Sequence, residues 1–387
     1  MNILIDLLPL QFNGGIGGAS SFTMRLCDEI IAKSEAGDTL YGVWDSSLGE
    51  GAIYKISEVA SLHHVSLLDL AEEPLDLMVS RNRIDTLFIA IGQFYANYQL
   101  EGISCKTVMF IHDIFEIERC DNKPDVMLYD PRIESRWEHI KRLVNLYSGR
   151  WRRQADAIYQ HIMPLYAAPN TIPYTVSEYS KYALEYYFPQ LQGKVRVCYS
   201  PVKTPQMLPD IESDSLRQLV AKGKKFFLIL AANRRYKNAK TALDVLYRIL
   251  DEHPDYSVVT LRYGATGHER HIDIPMLSDS DLEHAYKHAY ALVFASFFEG
   301  FGYPPVEAMK WGTPTIASNV TSIPEVYGCS RLSISPFYPA DLYRALQSVI
   351  SDRAKYCADL EERYQMVCQR QERDLDLLVK EVFKRSV

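Results

Sequence analysis

Residues 291–322 read ALVFASFFEGFGYPPVEAMKWGTPTIASNVTS. The apolar run 291–295 predicts a buried strand, since about four to eight apolar residues bounded by turn residues suit a parallel sheet. Glu299-Gly300-Phe301-Gly302 follows as a loop. Pro304-Pro305 then opens a helix, where a missing N–H is no loss. Gly312-Thr313-Pro314 closes that helix, and 315–317 begins the next strand. Strand, glycine loop, helix, strand is the repeating unit of a parallel α/β sheet. One acid, Glu299, lies in the loop, and another, Glu307, lies in the helix's first turn.

In an open parallel sheet, ligands sit outside the carboxyl ends of the strands. The loop 299–302 belongs to that edge. Its glycines let backbone N–H groups approach a ligand, and the helix start adds partial positive charge. Phosphate oxygens suit such donors. Carboxylates repel phosphate and suit hydroxyls instead, at about 1.5–3 kcal/mol for each charge-assisted bond. Phosphates flanked by hydroxyl-rich groups describe a sugar nucleotide. The plain alternative is that Glu307 complements the helix dipole and Glu299 is a solvated loop acid.

The spacing of Glu299 and Glu307 reproduces the E-x7-E motif of retaining GT-B glycosyltransferases of family 4. The words EGFGYPPVEAMKWGTPTIASN and SIPEV resemble that family as well. The resemblance implies that Glu299 holds the donor sugar's hydroxyls and Glu307 the ribose hydroxyls. The backbone of Gly300, Phe301 and Gly302 would face the sugar and diphosphate.

At 387 residues, the chain suits two domains, and 47% hydrophobic with 24% charged residues is an ordinary soluble composition. A net charge of −7 argues against a general nucleic-acid binder. Seven scattered cysteines without a C-x-x-C pair suggest free thiols in a reducing compartment, hence a cytoplasmic location. The start MNILIDLLPL reads as a strand, not a signal peptide, and no apolar run is long enough to span a membrane. No cluster of Asp or His suggests a metal, and no cofactor is expected besides the donor substrate.

The N-terminal part alternates strands and helices. Strands are expected over 3–7, 40–44, 65–68, 86–91, 107–111 and 195–199. Gly14-Gly15-Ile16-Gly17-Gly18 follows the first strand, but no G-x-G-x-x-G fits. The resemblance places Gly15 and Gly17 in a loop facing the donor phosphates or acceptor; a plain turn is the alternative. His112 ends the strand 107–111 on the ligand edge of the sheet. The family's HD pair implies that it approaches the donor sugar, while the residue alone is equally a histidine satisfied by its neighbours. Ile140, Leu143, Val144, Tyr147, Trp151, Ala155 and Ile158 form a helical stripe with cations beside it. This basic segment, 139–158, reads either as a peripheral membrane contact or as a core face with a solvated basic side, broken at Ser148-Gly149. Ser177 and Ser180 are helix-capping candidates.

Residues 200–214, with three prolines, are the linker. The second domain opens with a strand over 226–232, then Asn233-Arg234-Arg235-Tyr236-Lys237-Asn238. Three cations at a strand's carboxyl end suit a leaving diphosphate, whose charge grows as the sugar–phosphate bond breaks. Lys237 matches the family's lysine, and which of Arg234 and Arg235 accompanies it is open. Asp279 and Asp281 read as a cap and first-turn acids, and Ser322-Ile323-Pro324-Glu325 as a capping box.

The expected architecture is α/β of GT-B type: two Rossmann-like domains facing an interdomain cleft, with the C-terminal helix crossing back. The boundaries are 1–200 plus about 370–387 for the acceptor domain, and 201–369 for the donor domain. The function implied by the resemblance is transfer of a hexose, with mannose the first guess, from a GDP- or UDP-linked donor to an acceptor hydroxyl, with retained anomeric configuration. The implied acceptor is a surface-polysaccharide or lipid-linked glycan intermediate on the inner face of the membrane. Rival classes are a GT-B nucleotide-sugar epimerase or phosphorylase, and a non-catalytic nucleotide-sugar-binding subunit.

Overall fold

A computed structural model describes residues 1–12, 18–51, 54–201, 208–264 and 266–384. Gly15 and Gly17 lie outside the described residues. The short apolar runs of the sequence become strands of two wholly parallel sheets. The first has seven: β1 (Asn2–Asp6), β2 (Thr39–Trp44), β3 (Ser66–Asp69), β4 (Thr86–Ile89), β5 (Lys106–Phe110), β6 (Thr171–Thr175) and β7 (Arg196–Val197). Their order is β3-β2-β1-β4-β5-β6-β7. The second has six: β8 (Lys225–Ile229), β9 (Tyr256–Leu261), β10 (His271–Ile274), β11 (Ala291–Phe294), β12 (Thr315–Ser318) and β13 (Ser333–Ile334). Their order is β10-β9-β8-β11-β12-β13. Both are Rossmann-like, with helices supplying the crossovers between parallel strands.

Strand order reverses between β1 and β4 in one sheet and between β8 and β11 in the other. Central strands are buried on both faces, as a covered sheet requires: every residue of β9 and β11 is buried, and Phe227 and Ile229 of β8, Val258 of β9 and Val293 of β11 line one core. Four strands depart from the usual signal: Pro173 interrupts β6, β10 reads His-Ile-Asp-Ile, and β7 and β13 have two residues each.

The described chain divides into two compact units. The first comprises Met1–Ile114, Arg153–Lys203 and Gln369–Val387; the second comprises Phe115–Arg152 and Thr204–Cys368. Side-chain contacts explain why Phe115–Arg152 packs with the second sheet. The Phe115 ring lies 4.8 Å from Phe298 and 5.4 Å from Tyr236. Ile133 packs on the core around β8, and the buried Tyr263 hydroxyl donates to Asp130 Oδ2 at 2.8 Å.

The last helix, Leu360–Phe383, ends against the first sheet. Lys106 of β5 donates to the carbonyl of Lys384 at 2.8 Å and pairs with Glu381, which also holds Arg196 at 2.8 Å. Asp374 accepts from the Tyr199 N–H at 3.2 Å. The expected stripe over 140–158 is split. One helix, Arg136–Tyr147, ends at Ser148, and after Gly149 with φ +70° a second, Arg150–Tyr166, begins. Leu143 and Trp151 pack on Cys120, Val126 and Leu146, whereas Ile140, Val144 and Tyr147 are exposed.

Candidate active site

The loops that follow β8 and β11 leave adjacent strands at the reversal of the second sheet, where an open α/β sheet presents a crevice. Lys237 on the first loop and Glu299 on the second meet there, Nζ to Oε1 at 2.5 Å. Their side chains are only 9% and 11% exposed. The Lys237 ammonium also lies 4.7 Å from the Phe294 ring centroid and 5.1 Å from that of Tyr236. Aromatic walls and low exposure strengthen such a pair, because little water screens it. The Phe297 N–H donates to the Tyr236 carbonyl at 2.8 Å, so the backbones of the two loops are joined as well.

Local conformation sets Lys237 in place. Arg235–Lys237 is a single 3-10 turn, and Asn238 takes the left-handed region at φ +57° before the helix Ala239–Glu252 begins. Asn238 is buried, and its side-chain amide donates to the Pro336 carbonyl at 3.0 Å. That bond helps offset a backbone conformation unusual for a residue other than glycine. The two arginines diverge. Arg235 turns to the buried Glu134, Nη1 to Oε2 at 3.6 Å. Arg234 is exposed and donates to the Tyr236 hydroxyl at 3.2 Å. Tyr236 and, more weakly, Glu299 hold the Arg234 guanidinium above its ordinary range.

The glycine loop is braced from behind. The Glu299 N–H donates to Thr321 Oγ1 at 3.1 Å. The Ser322 hydroxyl donates to the carbonyls of Glu299 and Phe301 at 3.0 and 3.1 Å. Ser322 is therefore not the helix cap its neighbours suggested: its backbone is helical, and its hydroxyl serves the loop. Gly302 adopts φ +91°, a conformation that favours glycine, and begins the helix Tyr303–Lys310. Pro304 and Pro305 carry no N–H, so this helix start offers fewer donors to an anion than most.

On the same helix, Glu307 accepts a hydrogen bond from the buried Tyr286 hydroxyl. Burial and then the charge of Glu307 push the Tyr286 phenol well above its usual range, so it remains a donor. Asp279 begins the helix Asp279–His288 capped by Ser278, while the buried Asp281 instead accepts the N–H groups of Glu212 and Ser213 at 2.9 and 2.8 Å.

His112 belongs to the first unit, just beyond β5. Its Nε2–H donates to the Ala90 carbonyl at 3.2 Å, and its ring meets Phe22 edge-on at 4.3 Å. Burial lowers its pKa to about 4, so the ring is neutral at physiological pH. A residue that motif reasoning passed over, Asp6, stands at the end of β1, where the first sheet reverses. Asp6 accepts from the N–H groups of Leu8 and Ala90 at 3.0 Å and from the Tyr95 hydroxyl at 2.9 Å. Asp6 and His112 thus grip the N–H and the carbonyl of Ala90. Burial pushes the Asp6 carboxyl up to about 7. An acid inside an otherwise apolar first strand was its only sequence signal.

Among the described residues, no group of three or more His, Cys, Asp or Glu side chains is placed to hold a metal. No described helix is long and apolar enough to cross a membrane. The second unit thus brings a cation, Lys237, and a carboxylate, Glu299, together at the reversal of its sheet.

Residues 210–366 match the family model of Glycosyl transferases group 1. The Serotype-specific mannosyltransferase WbdA of Escherichia coli is 41% identical over 80 residues, which are 21% of this chain and 10% of that protein. Sucrose-phosphate synthase from Thermosynechococcus elongatus superposes with a TM-score of 0.64 at 14% identity, covering 99% of each chain. Anabaena Alr3699/HepE in complex with UDP-glucose gives a TM-score of 0.61 at 15% identity, covering 99% of this chain and 98% of that one. The region holding Lys237, Glu299 and Glu307 is therefore similar in sequence to glycosyl transferases group 1, within a chain that has the GT-B fold.

Proposed function

We propose that the chain is a retaining hexosyltransferase that uses a nucleotide diphosphate sugar. The observation that carries this reading is the Lys237–Glu299 pair at the reversal of the second sheet. On donor binding the pair separates: Glu299 takes sugar hydroxyls and Lys237 takes a diphosphate oxygen. Arg234, exposed on the same loop, adds charge at the diphosphate. Arg235 supports that loop through Glu134. Glu307, oriented by Tyr286, takes the ribose hydroxyls. The amides of Gly300, Phe301 and Gly302 face the sugar and phosphates.

In the transfer, the bond from the anomeric carbon to phosphate oxygen breaks, and the acceptor oxygen bonds to that carbon on the same face. The acceptor proton passes to the departing phosphate. The side chains position the reactants and neutralise growing charge, and none becomes a covalent nucleophile. The relative named as a mannosyltransferase favours mannose, and the UDP-glucose complex keeps UDP-hexoses in view. The acceptor is a surface-polysaccharide or lipid-linked glycan intermediate, met on the cytoplasmic face of a membrane.

A melting-temperature screen with GDP- and UDP-hexoses identifies the donor, since a bound ligand raises apparent stability. Proton NMR of the product then reads the anomeric configuration; an inverted product overturns the retaining assignment. Conversion of donor without acceptor assigns an epimerase instead.

A further inference from the structure

The helix Arg136–Tyr147 buries a charge and exposes an apolar row. Leu143 and Leu146 pack inward, and so does Arg142, 4% exposed, which donates to the carbonyls of Asp125 and Leu128 at 2.8 and 3.2 Å and pairs with Glu134. Trp137 is 64% exposed, Ile140 48%, Val144 59% and Tyr147 66%, and Met127 beside Tyr147 is 53% exposed. The four helical positions follow steps of three, four and three, so they form one continuous stripe. Isolated apolar side chains on a surface need no explanation, but an aligned row does.

Charge around the stripe names its partner. Between residues 136 and 153, six Lys or Arg stand against one Glu, in a chain of net charge −7. Arg136, Lys141 and Arg150 are exposed; of the acids nearby, Asp125, Asp130 and Glu134 are buried, Asp121 is paired with Arg152, and Glu138 is exposed. The Lys141 ammonium lies 5.5 Å from the Trp137 ring, and that of Lys123 lies 5.7 Å from Tyr147. An aromatic at each end, aliphatic groups between them and cations with long stems alongside suit the boundary of a lipid bilayer. A coiled-coil seam needs about three or four heptads, and this helix has 12 residues.

The geometry points to a peripheral membrane surface: Trp137, Ile140, Val144 and Tyr147 enter the interface of an anionic leaflet, with Arg136 and Lys141 on its headgroups. The assignment deepens the reading of a lipid-linked acceptor and rests on it for its purpose. It moves the contact from the basic segment expected over 139–158 to the outer side of one helix.

The test uses the full chain and vesicles of phosphatidylcholine, with or without phosphatidylglycerol. The chain should float with the anionic vesicles only, and its tryptophan emission should shift to the blue. Trp137→Phe should bind yet lose most of that shift. The double variant Ile140→Ser/Val144→Ser should lose about tenfold in partitioning, while its melting temperature and the shift given by nucleotide sugars stay at the wild-type values. Arg136→Glu/Lys141→Glu should remove the preference for phosphatidylglycerol. Wild-type protein that stays off both vesicles, or an Ile140→Ser/Val144→Ser variant that floats as well, overturns the proposal. So does a wild-type dimer that the double variant makes monomeric without changing flotation, which would assign the stripe to a second copy. Flotation with no response to any nucleotide sugar would instead reject the donor reading and leave the surface standing.

Discussion

Lys237 and Glu299 are paired in a nearly dry place, so each depends on the other before any substrate arrives. Lys237→Ala or Glu299→Ala leaves one charge poorly solvated, at a cost of about 1–3 kcal/mol. The double variant should lose less stability than the sum of the two, and a denaturation cycle measures the coupling. Each single variant should lower kcat at least about 100-fold, the scale for removing one preorganised electrostatic contact. Full activity in both would remove the pair from the mechanism. His112 yields a pH prediction. Above pH 6.5 its ring is neutral in both the folded and unfolded chain. As pH falls from 6.5 to about 4, the unfolded chain takes up a proton that the folded chain does not, so stability is lost. Melting temperatures should therefore drop more steeply over that window in wild type than in His112→Gln. Equal slopes would mean that water reaches the ring in the folded state.

At the scale of elements, the glycine loop depends on what lies behind it. Ser322 is fully buried and spans the carbonyls of Glu299 and Phe301. Ser322→Ala should cost about 1–2 kcal/mol by removing the hydroxyl's bonds to the carbonyls of Glu299 and Phe301. The donor KM should rise more than kcat falls, because the loop is displaced while its charged groups remain. Unchanged KM and stability would show that Thr321 suffices as the brace. The lesson for reading sequences is specific: Ser-Ile-Pro-Glu has the form of a capping box, yet tertiary packing gave the serine another acceptor. The same competition shaped Arg136–Tyr147. Its pattern read as a helix correctly, but a pattern has no inside until a neighbour is present, and Glu134 drew Arg142 inward.

For the whole molecule, the chain enters each unit more than once, so neither is a simple run of sequence. The final helix contributes Leu375, Leu378, Val379 and Val382 to buried positions. Truncation after Cys368 should therefore destabilise the first unit by on the order of 5 kcal/mol, from the lost apolar burial alone. Dye binding to exposed apolar surface and limited proteolysis would report it; a truncated chain melting at the wild-type temperature would refute it. The two parallel sheets were legible because central parallel strands are short apolar runs between turn residues. The strands β10 and β13 were not: β10 alternates polar and apolar residues over four positions, and Ser333–Ile334 offers no apolar run.

Local sequence by itself determined the alternation of strands and helices, the glycine loop, and the identity of the acids and cations around it. Those features follow from backbone preferences and side-chain chemistry, which act within a few residues. Tertiary structure alone decided that Lys237 meets Glu299, that Arg235 is drawn to Glu134 while Arg234 is not, and that Phe115–Arg152 packs beside the second sheet. Each of these is a contact between segments far apart in the chain, and such contacts depend on strand order and burial, which no local pattern encodes.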